Sequence, residues 1–260
     1  MRSKDLTELA QNSDFISGVY NYCDRWCERC PLTSRCLLYA RDKEDDDVDD
    51  DETRDINNEK FWRKIRSIFE ETRQLVETWA NEAGVDLTQI DHDAIARQEK
   101  RSARSRRHAL AVAGKKYASA VDEWFRSYDE IVRVSDAQLE ENDPEEIEQV
   151  HAAREIIRWY QYQIAVKIMR ALSSRVDEVE WEAGHCLPRD SDGSVKVALI
   201  GMDRSVSAWR LMQIALPEQS GSIVPLILSL ERLRRRVEKR FPDARAFIRP
   251  GFDEILGEPN

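Results

Sequence analysis

Glycine and proline are scarce in this chain, nine and eight among 260 residues. Sheet architectures need such residues at their many turns, so the shortage excludes an all-β fold and points to helices. Long apolar runs are missing too. No stretch of about eighteen apolar residues occurs, which leaves no candidate for a membrane-spanning helix. The opening residues, MRSKDLTELAQNSDF, lack the apolar core of a secretory signal. The chain is therefore expected in the cytoplasm, where clustered cysteines are thiols or metal ligands rather than disulfides. A glycine-rich phosphate loop, a Gly-x-Ser-x-Gly nucleophile turn and a His-Glu-x-x-His zinc helix are all absent.

What the chain has in quantity is charge: 35% of residues are charged and 41% apolar, with a formal net charge of −10. That balance suits a helix-rich protein with enough apolar content for a core. It argues against general nucleic-acid binding, whose affinity comes from neutralising phosphates. Much of the acid sits in KEDDDVDDDETRD, Lys43 to Asp55. Like charges at this density repel and bury nothing, so the tract reads as a flexible linker or solvated loop. A cation sponge or a docking strip for a basic partner is the alternative. The expected fold is all-α, a four- to five-helix bundle over residues 58–242. An N-terminal cysteine-rich metal-binding appendage precedes it at 1–42, an acidic linker lies at 43–57, and an irregular tail follows at 243–260.

Within the bundle the apolar periodicity is helical. Phe61, Ile65, Ile68, Leu75 and Trp79 form a stripe that predicts a buried face, ending near Gly84. A second helix is expected from about Asp93 to Val134, with Leu110, Tyr117, Val121, Trp124, Tyr128 and Ile131 inward. Small residues around Gly114, Ala111 and Ala118 would admit a neighbouring backbone. Asp143, Pro144 and Glu146 form a capping box that starts a third helix running towards Glu180. Its main face holds Val150, Ile157, Ile164, Ile168 and Leu172. Trp159, Tyr162 and Val166 lie opposite, the pattern of a central element. Residues 183–194 read as a loop, and Val195–Ile200 as a strand or, preferably, more helix. A last helix follows, with Pro225 in its first turns and Pro242 beyond its end.

Four of the five cysteines fall within fourteen positions: Cys23, Cys27, Cys30 and Cys36, spaced C-x3-C-x2-C-x5-C. Four soft thiolates this close on the chain are what a thiophilic metal requires. Buried inert thiols or a redox disulfide pair are the alternatives. Structural zinc usually joins two C-x2–4-C knuckles across a longer gap, whereas one looping segment suffices to reach the corners of an iron–sulfur cubane. The spacing therefore favours [4Fe–4S] over Zn2+. Tyr20, Tyr22, Trp26 and Tyr39 would shield such a group or supply the appendage's small core.

The segment CERCPLTSRC, Cys27 to Cys36, resembles the end of the [4Fe–4S] loop of helix-hairpin-helix DNA glycosylases, which reads C-x6-C-x2-C-x5-C. RecB-like nucleases of the CRISPR-adaptation kind carry a similar C-x2-C-x5-C. The resemblance implies that Cys27, Cys30 and Cys36 take the last three ligand places and Cys23 the first. It covers about fourteen residues, with a first gap of x3 and an N-terminal position. No catalytic hairpin or nuclease core accompanies it, so it implies the cofactor and not the activity.

Other candidates are weaker. Glu148-x-x-His151, with Glu155, matches half of a di-iron bundle motif. The other match, Glu182-x-x-His185, lies about 50 Å further along one helix and cannot share its site. His185 and Cys186, near Asp190 and Asp192, would make a nucleophile or an extra ligand if a base were oriented beside them. The basic stretches 97–108 and 231–240 read first as faces paired with the chain's own acid tract. A nucleic acid or other polyanion is possible there but not favoured. The sequence thus predicts a metal-binding redox or sensory module that recruits a protein partner, and no membrane. The alternatives are a di-iron or iron–sulfur-dependent oxidoreductase and a zinc-stapled adaptor.

Overall fold

A computed structural model of the chain describes residues 12–48, 51–89, 91–139, 144–181 and 190–253. Among these the structure is all-helical, with eight α-helices and no strand. They are α1 (Leu37–Val48), α2 (Asp51–Arg54), α3 (Glu59–Ala83), α4 (His92–Arg107), α5 (Ala109–Leu139), α6 (Pro144–Trp181), α7 (Asp190–Ala215) and α8 (Ser220–Arg240). No described helix is long and apolar enough to cross a membrane. The chain divides into two compact units, Met1–Ala96 with Pro250–Asn260, and Arg97–Arg249.

The second unit is a helical bundle in which α5 packs on α6, α6 on α7, α7 on α8 and α8 back on α5. Leu110, Tyr117, Val121, Trp124 and Tyr128 of α5 are buried, as are Val150, Ile157, Ile164, Ile168 and Leu172 of α6. The predicted core stripes are therefore the real ones, apart from Ile131, whose side chain lies outside the described residues. Gly114 lets α5 approach α6 closely, since a Cβ there would stand 3.1 Å from the Cα of Ala165. An aromatic cluster ties three helices together. The Trp209 indole on α7 donates to the Tyr117 hydroxyl at 2.9 Å, Trp124 sets its ring edge-on to Trp209 at 4.9 Å, and the Trp124 indole donates to Ser222 on α8 at 2.9 Å.

Gly201 on α7 faces the buried ring of Tyr160, and an added Cβ would lie 2.7 Å from that ring's Cδ1. Arg204 donates to the same tyrosine's hydroxyl, so the ring has little freedom to retreat. Gly201→Ala is therefore expected to destabilise the protein. Overpacking of this kind costs about 1–3 kcal/mol, which exceeds the roughly 1 kcal/mol that alanine returns in helix propensity. Urea unfolding followed by circular dichroism measures the balance, and an unchanged or raised midpoint would show that the ring yields.

Between α7 and α8 an ion network is centred on Asp203. Arg234 reaches its Oδ1 at 2.8 Å and Arg245 its Oδ2 at 2.5 Å, while Arg245 also holds Glu238 at 2.8 Å. Burial opposes the Asp203 charge, but hydrogen bonds from Arg245 and Arg234 outweigh it and hold the carboxyl below its ordinary value. A lowered carboxylate contributes stability above its unfolded value near 4 and loses it as pH falls through the folded one. Asp203 is over a third exposed, so the contribution is about 1 kcal/mol after screening. Asp203→Asn should cost that much at pH 7 and progressively less as the pH falls from about 4 towards about 3. An equal loss at both pH values would mean the charge is not responsible.

Several boundaries differ from the sequence pattern. The long second helix breaks at His108 into α4 and α5. There the imidazole Nδ1 accepts the Leu110 N–H at 3.2 Å, and the His108 carbonyl accepts the first α5 bond from Val112. Histidine thus caps α5, a role usually held by Ser, Thr, Asp or Asn. Residues 190–194, expected as loop, open α7, and Val195–Ile200 continue it as helix. Tyr162 and Val166 on the second face of α6 are 55% and 54% exposed, so that helix buries one face and not two. The acidic tract is helical through Val48 and again over α2, and Lys60 pairs with Glu52. The capping acids Asp143 and Glu146 lie outside the described side chains.

In the first unit, α3 has the ends its sequence predicts. Asn58 accepts the Lys60 N–H, and Gly84 sits at φ 67° with Val85 N–H bonded back to the Ala80 carbonyl, a Schellman stop. Its stripe is not buried, however. Trp79 is 61% exposed and Ile68 41%, Phe61, Ile65 and Leu75 are half-buried, and only Ala80 is fully covered. Amphipathic spacing reports that a helix has an apolar face, not that its own chain covers it.

Candidate metal centre

Residues 12–36 carry almost no regular hydrogen-bond ladder, and the cysteines mark the corners of what replaces it. Three single 3₁₀ turns, Val19–Asn21, Cys27–Arg29 and Thr33–Arg35, fold the segment back on itself. Cys23 follows the first, Cys27 begins the second, Cys30 closes it with its N–H on the Cys27 carbonyl, and Cys36 closes the third. The Cys36 carbonyl then accepts the Ala40 N–H and launches α1. Asp24 accepts the Trp26 N–H at 3.2 Å, and Arg25 between them adopts φ 59°, which turns the chain sharply between the first two thiols. The x3, x2 and x5 gaps are thus the lengths of these turns.

All four thiols are free and half-buried, and all line one cavity of about 20 Å³. Val19, Tyr20, Trp26, Leu32, Leu38, Tyr39 and Phe252 provide its apolar and aromatic wall. Of the four predicted shielding aromatics, Tyr22 alone is not on that wall. Cys30 Sγ accepts the Leu32 N–H at 3.4 Å, the backbone-to-sulfur contact that stabilises a thiolate, and the Cys23 thiol donates to the Tyr20 carbonyl at 3.4 Å. Burial raises the Cys27 thiol's pKa, and the charges of Cys23, Cys30 and Cys36 raise it further. In the metal-free chain it is therefore protonated at neutral pH, and metal would have to displace its proton.

The donor set fits a thiophilic metal in chemistry: four thiols, no competing disulfide and a dry wall. Among the described residues, however, no three His, Cys, Asp or Glu side chains converge closely enough to hold a single ion. Tetrahedral zinc at about 2.3 Å from each sulfur would bring them within roughly 3.8 Å of one another. Loading of a single ion such as zinc therefore requires side-chain rotation within the loop.

Phe252 is the wall residue that the sequence pattern does not reveal. Gly251, at φ 73°, lies so close to Ile16 that a Cβ would meet its Cδ1 at 2.7 Å. A Pro-Gly-Phe triplet in a tail was the available signal. The remaining candidates do not assemble. Glu148, His151 and Glu155 are exposed on α6. Glu182, His185 and Cys186 lie outside the described residues. Asp190 is occupied by Arg170 and Ser174, each at 2.7 Å, and Asp192 is buried in the first turn of α7. Comparison with known proteins finds no matching family model, no similar curated protein and no similar solved structure.

Proposed function

We propose that this is a metal-binding helical protein whose Cys23, Cys27, Cys30 and Cys36 hold a [4Fe–4S] cluster, and that it works as a redox or sensory module for a protein partner. The observation that carries the reading is the shared cavity: four thiols from fourteen residues line one small space behind an aromatic wall. When bound, such a cluster supplies one-electron transfer at a potential set by burial and by hydrogen bonds to sulfur. The chain's own residues would tune it. Leu32 N–H bonds Cys30 Sγ, and Trp26, Tyr39 and Phe252 wall the space around the thiols.

The energetics of the first unit support a structural contribution as well. Among the described residues only Val19 and Ala80 of this unit are buried apolar side chains, while all the others belong to residues 97–249. A unit with so little core needs a staple, and structural metal in small domains contributes on the order of 10 kcal/mol. An interaction role is supported by α3, whose Trp62, Phe69, Val76 and Trp79 are 50%, 72%, 45% and 61% exposed, more apolar surface than a helix usually leaves in water.

The test is anaerobic purification followed by metal, sulfide and visible-absorption analysis. About four irons and four sulfides per chain, with a brown colour, is the expected result. A colourless protein with one zinc would replace the redox reading with the zinc-stapled adaptor.

A further inference from the structure

The basic stretches of the sequence contain two populations. Some arginines are committed within the bundle: Arg234 to Asp203 and Arg235 to Glu231. Arg106 bonds Ser102, and a further group gathers elsewhere. Lys100, Arg104 and Arg107 stand at i, i+4 and i+7, on one face of α4, and with Ala103 and His108 they line an open concavity of about 460 Å³. Arg236 and Arg240, one turn apart on α8, act on the same imidazole. Burial first, then the charges of Arg240, Arg236 and Arg104, lower the His108 pKa. No acidic group contributes to that environment. No carboxylate among the described residues pairs with Lys100, Arg104, Arg107, Arg236 or Arg240.

Such an arrangement is unfavourable without a counter-charge, because like charges one helical turn apart destabilise a helix. The negative end of a helix dipole accounts for Arg107 and Arg240 in the last turns. Its effect fades beyond one turn and leaves Lys100 and Arg236 unexplained. His108 adds a directed donor. Its Nδ1 accepts the Leu110 N–H, so the neutral ring carries its proton on Nε2. Guanidinium groups present paired N–H donors that match phosphate oxygens, and two of them line the concavity with one ammonium and one imidazole.

We infer that the concavity lined by Lys100, Arg104, Arg107 and His108, with Arg236 and Arg240 beside it, is a binding site for a multiply charged phosphate group of the pyrophosphate or polyphosphate kind. Ala103 is the one small side chain on its lining and leaves room for the group, the four lining donors supply its hydrogen bonds, and Arg236 and Arg240 add positive charge nearby.

Isothermal titration of the full chain with inorganic tripolyphosphate at low salt tests this directly. A saturable one-site isotherm is expected, with affinity falling about tenfold or more for each of Arg104→Gln and Arg107→Gln, since a hydrogen bond to a charged group is lost each time. Arg210→Gln, an exposed arginine paired with Glu231, should leave it unchanged. The His108 ring resonances should shift during the titration. A twelve-nucleotide single strand and ADP separate the sources of the phosphate. ADP competing with tripolyphosphate supports a small ligand, and a strand that binds where tripolyphosphate does not would overturn it. No saturable binding, an equal loss with Arg210→Gln, or binding seen only after Asp45, Asp46 and Asp47 become asparagine would each overturn it, the last by making the chain's own acid tract the occupant.

Discussion

Trp209→Ala is expected to remove about 3–5 kcal/mol of stability, the cost of truncating a fully buried aromatic side chain. Domains of this size carry only about 5–15 kcal/mol in total, so the variant should sit at the edge of folding. Three losses coincide at the position. The indole is wholly buried, so its removal opens a cavity between α5 and α7. Its edge contact with Trp124 at 4.9 Å disappears, worth about 1 kcal/mol beyond area. The buried Tyr117 hydroxyl loses its Trp209 donor and is left with Ser205 as its side-chain partner, and a lost hydrogen bond of this kind costs about 1 kcal/mol. Trp209→Phe keeps most of the volume and isolates that last contribution. Chemical unfolding of both variants gives the partition. A loss below about 1 kcal/mol for the alanine variant would mean that the aromatic cluster is not what joins these helices.

Cys27→Ala/Cys30→Ala should have the larger effect on the first unit. If the proposed cluster is held there, all iron and sulfide are expected to be lost, because only two of the four thiols that would hold it remain. The segment around them should become sensitive to trypsin at Arg25, Arg29 and Arg35, three sites within the loop itself. The reason is again the poverty of buried apolar surface, with Val19 the one fully buried apolar side chain among the described residues before Ala80. Metal that survives the double substitution would overturn the proposed site. Loss of metal with no change in proteolysis would keep the site and remove its structural role.

The comparison of sequence with structure divides along the range of the interactions involved. Local chemistry was legible: Gly84 ends α3 where the helix-stop rule places it, and the stripes of α5 and α6 are the core. The break at His108 was not, because an imidazole accepting a backbone N–H is outside the usual capping residues. The exposure of Trp79, Tyr162 and Val166 was not either, since periodicity fixes the direction of a face and is silent on whether anything lies against it. At the candidate metal centre the four thiols were legible from spacing alone. Phe252 was not, because it reaches the cavity from more than two hundred residues away in the chain, and only the folded backbone brings it there.

That last contact has a consequence for biosynthesis. The wall that closes over the thiols is completed by a residue translated after the whole of the bundle, so the cysteine loop leaves the ribosome long before its Gly251–Phe252 cover exists. Domains commonly fold in the order in which they emerge. Here the first unit is split around the second, and the loop stays open on that side while Arg97–Arg249 are being made. The interval leaves the thiols accessible on that side, and the arrival of Phe252 ends it.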